Sequence, residues 1–177
     1  MIKFIPVTTE DSRYTFIEEL MHESFPVDER RDDDAQRYNT DHNQLFAAYL
    51  ITEGEINIGL ITLWKLDGFY YVEHLATSPQ VRNKGYGKMI MQALLHDFSD
   101  YTIVLEVELP EDDLSKRRIG FYERNGFKLC HKPYMQPPYR SGGTPIPMHV
   151  MYSSDRPIDD IFDKIKSEIY RNVYLVK

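Results

Sequence analysis

The sequence predicts an α/β fold in which a mixed, mostly antiparallel sheet of about seven strands is flanked by helices. Three observations carry that expectation. Residues 45–52, Ile56–Leu66 and Phe69–Thr77 are consecutive β-branched and aromatic runs joined through Glu53-Gly54-Glu55 and Asp67-Gly68, the pattern of an antiparallel meander. Met91, Leu94, Leu95 and Phe98 then recur at helical spacing. From there to the end of the chain, strand and helix signals alternate.

Taken in order, residues 2–8 read as a first strand. Phe16, Ile17, Leu20 and Met21 follow as one face of a helix, which Thr8 and Asp11 are spaced to cap and Pro26 terminates. Residues 28–38 are charged and read as a second short helix. The run Asp32-Asp33-Asp34 within them is either a solvated face or an attractor for a cationic amine. After the meander, a helix spans 86–99 and a nearly continuous apolar strand spans 102–109, as suits a buried sheet position. Leu114, Arg118, Ile119 and Tyr122 mark a helix over 112–125, stopped by Asn125-Gly126. A short strand is expected at 127–130. Residues 132–147 hold five of the ten prolines and read as a long, partly stiff loop that either walls a binding site or simply crosses the surface. A strand at 148–152 closes the sheet. Ile158, Ile161, Phe162, Ile165 and Ile169 then stripe a terminal helix. Residues 1–155 are thus expected to form one domain. Residues 156–177 add a helix packed on that domain or on a partner, such as a second copy in a homodimer.

Composition narrows the function classes. A chain of 177 residues with 42% hydrophobic content can build one real core without staples. Cys130 is the single cysteine, so an intrachain disulfide and a CxxC motif are both excluded. The balance of 21 basic against 28 acidic residues, net −7, argues against a nucleic-acid partner. No apolar stretch approaches the roughly 18 residues of a membrane span, and the start lacks a secretory apolar region, so a cytoplasmic protein without a membrane partner is expected. None of the six histidines stands in a metal-ligand spacing such as HExxH, so no metal is expected.

The informative segment is Arg82-Asn83-Lys84-Gly85-Tyr86-Gly87, between a strand and the start of a helix. A helix start leaves N–H groups unpaired and carries partial positive charge, and glycines let the chain approach an anion closely. The loop is therefore suited to a pyrophosphate, or is a plain glycine-bearing turn. Walker A is excluded because Met89 follows Gly87-Lys88, and the dinucleotide pattern fails because Ile90 stands where its third glycine belongs.

After the strand Val72-Glu73-His74-Leu75-Ala76-Thr77, this loop resembles the signature of the GNAT superfamily of acyl-CoA-dependent N-acetyltransferases. A second block, Ile119-Gly120-Phe121-Tyr122-Glu123-Arg124-Asn125-Gly126-Phe127, resembles the family's later helix-to-strand segment, in the right order. The resemblance implies that acetyl-CoA is the co-substrate. Its pyrophosphate would lie on the main-chain N–H groups of Asn83, Lys84, Gly85, Tyr86, Gly87 and Lys88, with charge from Arg82 and Lys84. Its pantetheine amides would pair with a splayed strand at Leu75, Ala76 and Thr77. Where many relatives carry an asparagine seven residues before the tyrosine, this chain has Ser115, and Arg118 replaces an alanine. Ser115 and Phe121 complete the implied cofactor contacts.

The expected reaction is acetyl or short acyl transfer from acetyl-CoA to a primary amine of a small molecule or peptide, by direct attack in a ternary complex. Tyr122 matches the family's general acid, and a phenol of pKa about 10 holds its proton at neutral pH. Glu73 is either the base or a carboxylate on a solvated strand face. A regular strand would turn His74 to the opposite face from Glu73, whereas a bulge of the kind the family resemblance implies would blur that alternation. Glu106 and Glu108 lie on the next strand, either lining the acceptor cavity or ion-paired. The competing class is a non-catalytic acyl-CoA-binding module of the same fold.

Overall fold

A computed structural model describes residues 1–176. Seven strands form one sheet in the order β1-β2-β3-β4-β5-β7-β6. They are β1 (Ile2–Val7), β2 (Phe46–Glu53), β3 (Ile56–Leu66), β4 (Phe69–Thr77), β5 (Thr102–Glu108), β6 (Lys128–Gln136) and β7 (Ile146–Tyr152). The meander forms as the turn glycines require: Gly54 and Gly68 sit at φ 60° and 89°, where a side chain would be strained. Only β4 and β5 run parallel, which forces a crossover helix between them.

Two cores cover the two faces. On one, α1 (Tyr14–Ser24) contributes Tyr14, Ile17, Leu20 and Met21, and α5 (Phe162–Asn172) contributes Phe162, Ile165 and Ile169, all packed with Trp64 and Tyr71 of the sheet. On the other, the crossover helix α3 (Tyr86–Asp97) buries Ile90, Met91 and Leu94, and α4 (Asp113–Arg124) buries Ile119. The terminal helix therefore lies against its own sheet. Between α1 and β2, α2 (Asp33–His42) buries no residue; the Asp32 carboxylate caps it by accepting from the Ala35 N–H at 3.0 Å, and Arg37 donates to Glu18 of α1 at 2.8 Å. The acidic run is thus a helix start, with Asp33 paired to Arg30 and His22.

Two local expectations change. Thr8 and Asp11 do not cap α1. The Asp11 carboxylate turns instead to the N–H and guanidinium of Arg13, each at 2.9 Å, and the helix begins after that turn. Much of the expected loop at 132–147 is strand, because Tyr134, Met135 and Gln136 pair with Met148, Pro147 and Ile146. Pro133 is tolerated since β6 is an edge strand and the register slips between Cys130 and Tyr134.

β3 approaches β4 most closely at Gly59, where a Cβ would lie 2.4 Å from the Ala76 carbonyl oxygen. Gly59→Ala must push the two strands apart, at a cost of about 1–3 kcal/mol. Calorimetric melting is expected to show a Tm lower by about 3–10 °C.

Candidate active site

Pairing between β4 and β5 stops at Val72 with Leu105, although β4 continues to Thr77 and β5 to Glu108. Beyond that point β5 pairs only with β7, and residues 74–77 of β4 pair only with β3, so the strands part as a fork. A cleft of about 530 Å³ occupies it, running from Thr77 and Arg82 past Leu75 and Ala76 to Glu106 and Tyr122. The unshared edge of β4 presents main-chain groups with no strand beside them, the arrangement that an extended amide-bearing chain can complete.

At the outer end of the fork, Arg82 donates from Nε to the Thr77 carbonyl at 3.2 Å, tying the loop to the end of β4. Asn83 and Gly85 adopt left-handed backbone angles, φ 63° and 83°, before α3 begins. Such alternation turns successive amides into one concavity. The N–H groups of Asn83, Lys84, Gly85, Tyr86, Gly87 and Lys88 donate to no protein acceptor among the described residues, and no side chain caps the helix. Phe121 supports this cradle from α4: a Cβ on Gly87 would sit 3.3 Å from its ring. The Lys84 ammonium is turned to the Gln80 carbonyl at 2.9 Å. These residues fit a pyrophosphate on the loop and an amide-bearing arm along β4.

At the head of the fork, Glu73 has no partner on β3, because Thr62 pairs with His74 and Leu63 with Val72. This one-residue bulge overturns the alternation expected of a regular strand. Glu73 and His74 both reach the face carrying α1: Glu73 accepts from Trp64 Nε1 at 2.9 Å, and the His74 ring meets Phe25 with centroids 4.6 Å apart. Glu73 is also clamped by Arg31, whose guanidinium sits among the rings of Phe46, Trp64 and Tyr139 at 5.5 to 5.7 Å. Burial alone would raise the Glu73 carboxyl. The Arg31 charge, His74 and these hydrogen bonds outweigh it, so it lies below the ordinary carboxylate range. The Glu73 side chain has 0% exposure, so what this residue shows to the cleft is main chain. An ionised, fully enclosed carboxylate held by a guanidinium is a weak base. Burial lowers the pKa of His74, which stays neutral and bonds through Nε2 to the Glu29 carbonyl at 2.9 Å.

A smaller cavity of about 170 Å³ opens on the same face and shares Glu73, Glu106, Glu108 and Arg118 with the cleft. Phe25, Glu29 and Tyr139 form its outer wall. Glu108 is paired with Arg118 at 2.5 Å, whereas Glu29 and Glu106 have no cationic partner among the described residues. Burial raises both of these carboxyls. The loop after β6 belongs to this wall too, since Arg140 donates to the Val27 carbonyl at 3.1 Å.

Tyr122 lines the cleft from α4, and its hydroxyl bonds to no protein group among the described residues. Burial raises its pKa, with Arg118 opposing, so it is a phenol at neutral pH. Ser115 falls outside the site. Its hydroxyl and N–H close a capping box with Asp112 at the start of α4. Cys130 is buried on β6, away from the cleft. Arg31 and Tyr174 carry no local sequence signal; only the folded sheet brings them to Glu73 and Glu106. Among the described residues, no group of three or more His, Cys, Asp or Glu is placed to hold a metal ion, and no helix is long and apolar enough to cross a membrane.

With this geometry, residues 14–127 match the model of the acetyltransferase (GNAT) family. A GNAT-family protein from Bacteroides thetaiotaomicron is 43% identical, with TM-score 0.96 over 99% of each chain, so the terminal helix is included in the likeness. The spermidine N-acetyltransferase of Vibrio cholerae in complex with CoA and spermine superimposes with TM-score 0.61 at 18% identity, over 85% of this chain and 94% of that one. A dodecameric structure of the Vibrio cholerae enzyme gives TM-score 0.61 at 16% identity, over 85% and 92%. At such identity the likeness is one of fold. No curated protein matches the chain.

The Arg31 and Glu73 pair yields a stability prediction. Arg31→Met strands a buried carboxylate and is expected to cost about 3–5 kcal/mol, and adding Glu73→Leu should recover most of it. Because the folded pKa of Glu73 is depressed, its contribution is present above the unfolded value of about 4.3 and lost as pH falls through the lower folded value. In Arg31→Met burial instead lifts the Glu73 carboxyl above its unfolded value, so the cost of the substitution should shrink as pH falls and Glu73 takes up a proton, which urea unfolding followed by circular dichroism across a pH series checks.

Proposed function

The chain belongs to the GNAT family of acetyltransferases, and from that premise we propose that it transfers an acetyl or short acyl group from acetyl-CoA to a primary amine by direct attack in a ternary complex. One observation carries the reading: the open edge of β4 lines a cleft that runs from Arg82 to the free hydroxyl of Tyr122, and the six unpaired amides of Asn83 to Lys88 follow directly on Arg82 at its outer end.

In this reading the amides of residues 83–88 hold the pyrophosphate, and the β4 edge at Leu75 to Thr77 orients the pantetheine arm. Arg82 fixes the junction of the two, and Phe121 stiffens the cradle through Gly87. The bound co-substrate supplies the activated acyl group. Tyr122, a phenol aimed into the cleft with no competing partner, provides the proton that the departing thiolate requires.

The acceptor enters from the smaller cavity, which meets the cleft at the head of the fork. Glu29 and Glu106 give that cavity negative charge without compensating cations, and Phe25 and Tyr139 add aromatic faces. Such a wall favours an ammonium over an anion or a neutral alcohol. Small polyamines belong in the test panel, since the fold neighbour from Vibrio cholerae was solved with spermine. The assignment to amines rests on this chain's own carboxylates.

Direct attack is the route assigned because Cys130, the single thiol, is buried outside the cleft. A CoA thiol-release assay across primary amines checks the function. At least one cationic amine is expected to give release above buffer background, and Tyr122→Phe is expected to lower kcat about 10²- to 10³-fold while CoA affinity holds. Tight CoA binding with no release for any amine would return the chain to the binding-module class.

A further inference from the structure

Two carboxylates stand just past the last pair of the fork, and the fold treats them in opposite ways. Glu73 is enclosed and paired with Arg31. Glu106, its counterpart on β5, receives neutral donors only: Tyr134 bonds to Oε1, and Gln136 and Tyr174 bond to Oε2, the last at 2.8 Å. Tyr71 of β4 also bonds to this carboxylate, so every donor that reaches Glu106 is a neutral phenol or amide. Glu106 also lines both the cleft and the smaller cavity, so it borders the space where a nucleophile must meet the acyl carbon.

We propose that Glu106, rather than Glu73, takes the proton from the acceptor ammonium, and that Tyr174 of the C-terminal segment is the positioning residue that holds it ready. The proposal deepens the acetyltransfer reading and rests on it. The ammonium N–H bond breaks with its electron pair left on nitrogen, and the proton passes to Glu106. That pair forms the C–N bond at the thioester carbonyl. The C–S bond breaks with its pair on sulfur, which takes the Tyr122 proton. A second proton from nitrogen restores the Tyr122 phenol, and Glu106 releases its proton to solvent, so the charges and atoms of ammonium and thioester balance against amide, thiol and one proton.

The surroundings of Glu106 suit a base that holds a proton more readily than an ordinary carboxylate. From β4 it faces Tyr71 and Glu73, the latter neutralised by Arg31. From β6 and the loop after it come Tyr134, Gln136 and Tyr139. The C-terminal segment adds Tyr170 and Tyr174, with Tyr174 also 3.3 Å from the Tyr71 hydroxyl. Across the cavity stands Glu29, and Arg118 of α4 is engaged by Glu108. Burial among these neutral and acidic groups raises the Glu106 carboxyl, and the hydrogen bonds offset only part of that rise.

The test is the pH profile of kcat/KM for an accepted amine in the unaltered protein, Glu106→Gln and Tyr174→Phe, with CoA affinity and melting temperature measured on each. Glu106→Gln is expected to lose about 10²- to 10³-fold in kcat/KM with CoA affinity retained. Tyr174→Phe removes a donor to the ionised form, so the acid limb of its profile should move to higher pH, a displacement that a purely structural role would not produce. A Glu106→Gln protein within about threefold of normal turnover, or an acid limb unmoved in Tyr174→Phe, overturns this proposal alone. Failure of the unaltered protein to bind CoA overturns the acetyltransfer reading and this proposal together.

Discussion

The parting of β4 from β5 after Val72 and Leu105 is the constraint from which the rest of the site follows. Parallel neighbours need a crossover, and here the crossover helix α3 starts only nine residues past the end of β4. The open strand edge and the uncapped helix start are therefore neighbours by connectivity. The fork leaves main-chain groups unpaired on β4, while the left-handed angles at Asn83 and Gly85 leave a second set pointing together. Unpaired main-chain groups are tolerated only where water or a ligand reaches them. An elongated partner with an anionic end and amides along its arm satisfies both sets at once, which is why family membership and local geometry point to the same co-substrate.

The face opposite α3 is organised by the bulge at Glu73. One extra residue turns both Glu73 and His74 toward α1, where they bind opposite ends of a single segment: Glu73 takes Arg31, and His74 takes the Glu29 carbonyl. The segment between α1 and α2 is thereby fixed over the head of the fork, and the loop after β6 is pinned to it through Arg140. A buried ion pair of this kind contributes little net stability against an apolar equivalent, but it specifies one position for the chain that walls the smaller cavity. Glu106 shows the contrary choice. Surrounded by phenols and an amide, it is buried without neutralisation, a placement that disfavours its charged form and makes it chemically responsive.

What the sequence made legible was local. The limits of β3 and β4, the glycine turns, and the Asp112 and Asn125 boundaries of α4 all depend on residues adjacent in the chain. So does the amide cradle, whose glycines and position before a helix are visible without a fold. The features that escaped are set across the chain. β6 outruns its expected end because β7 supplies partners for a proline-bearing stretch, and alternation of apolar residues cannot reveal a bulge whose cause is the register of β3. Ser115 matches a cofactor-side position by analogy, while its spacing from Asp112 suits the capping box that forms. Arg31 lies beside an acidic run and Tyr174 near the end of the chain; their meetings with Glu73 and Glu106 span 42 and 68 positions. No periodicity encodes separations of that length.

Amide hydrogen exchange read by mass spectrometry, with and without CoA, tests the central claim most directly. The account predicts that CoA slows exchange in residues 83–88 and along β4 from Leu75 to Thr77, because the bound molecule supplies the acceptors that these amides lack. The edge strands β1 and β6 should be unaffected. CoA binding that leaves both segments exchanging at their free rates would contradict it.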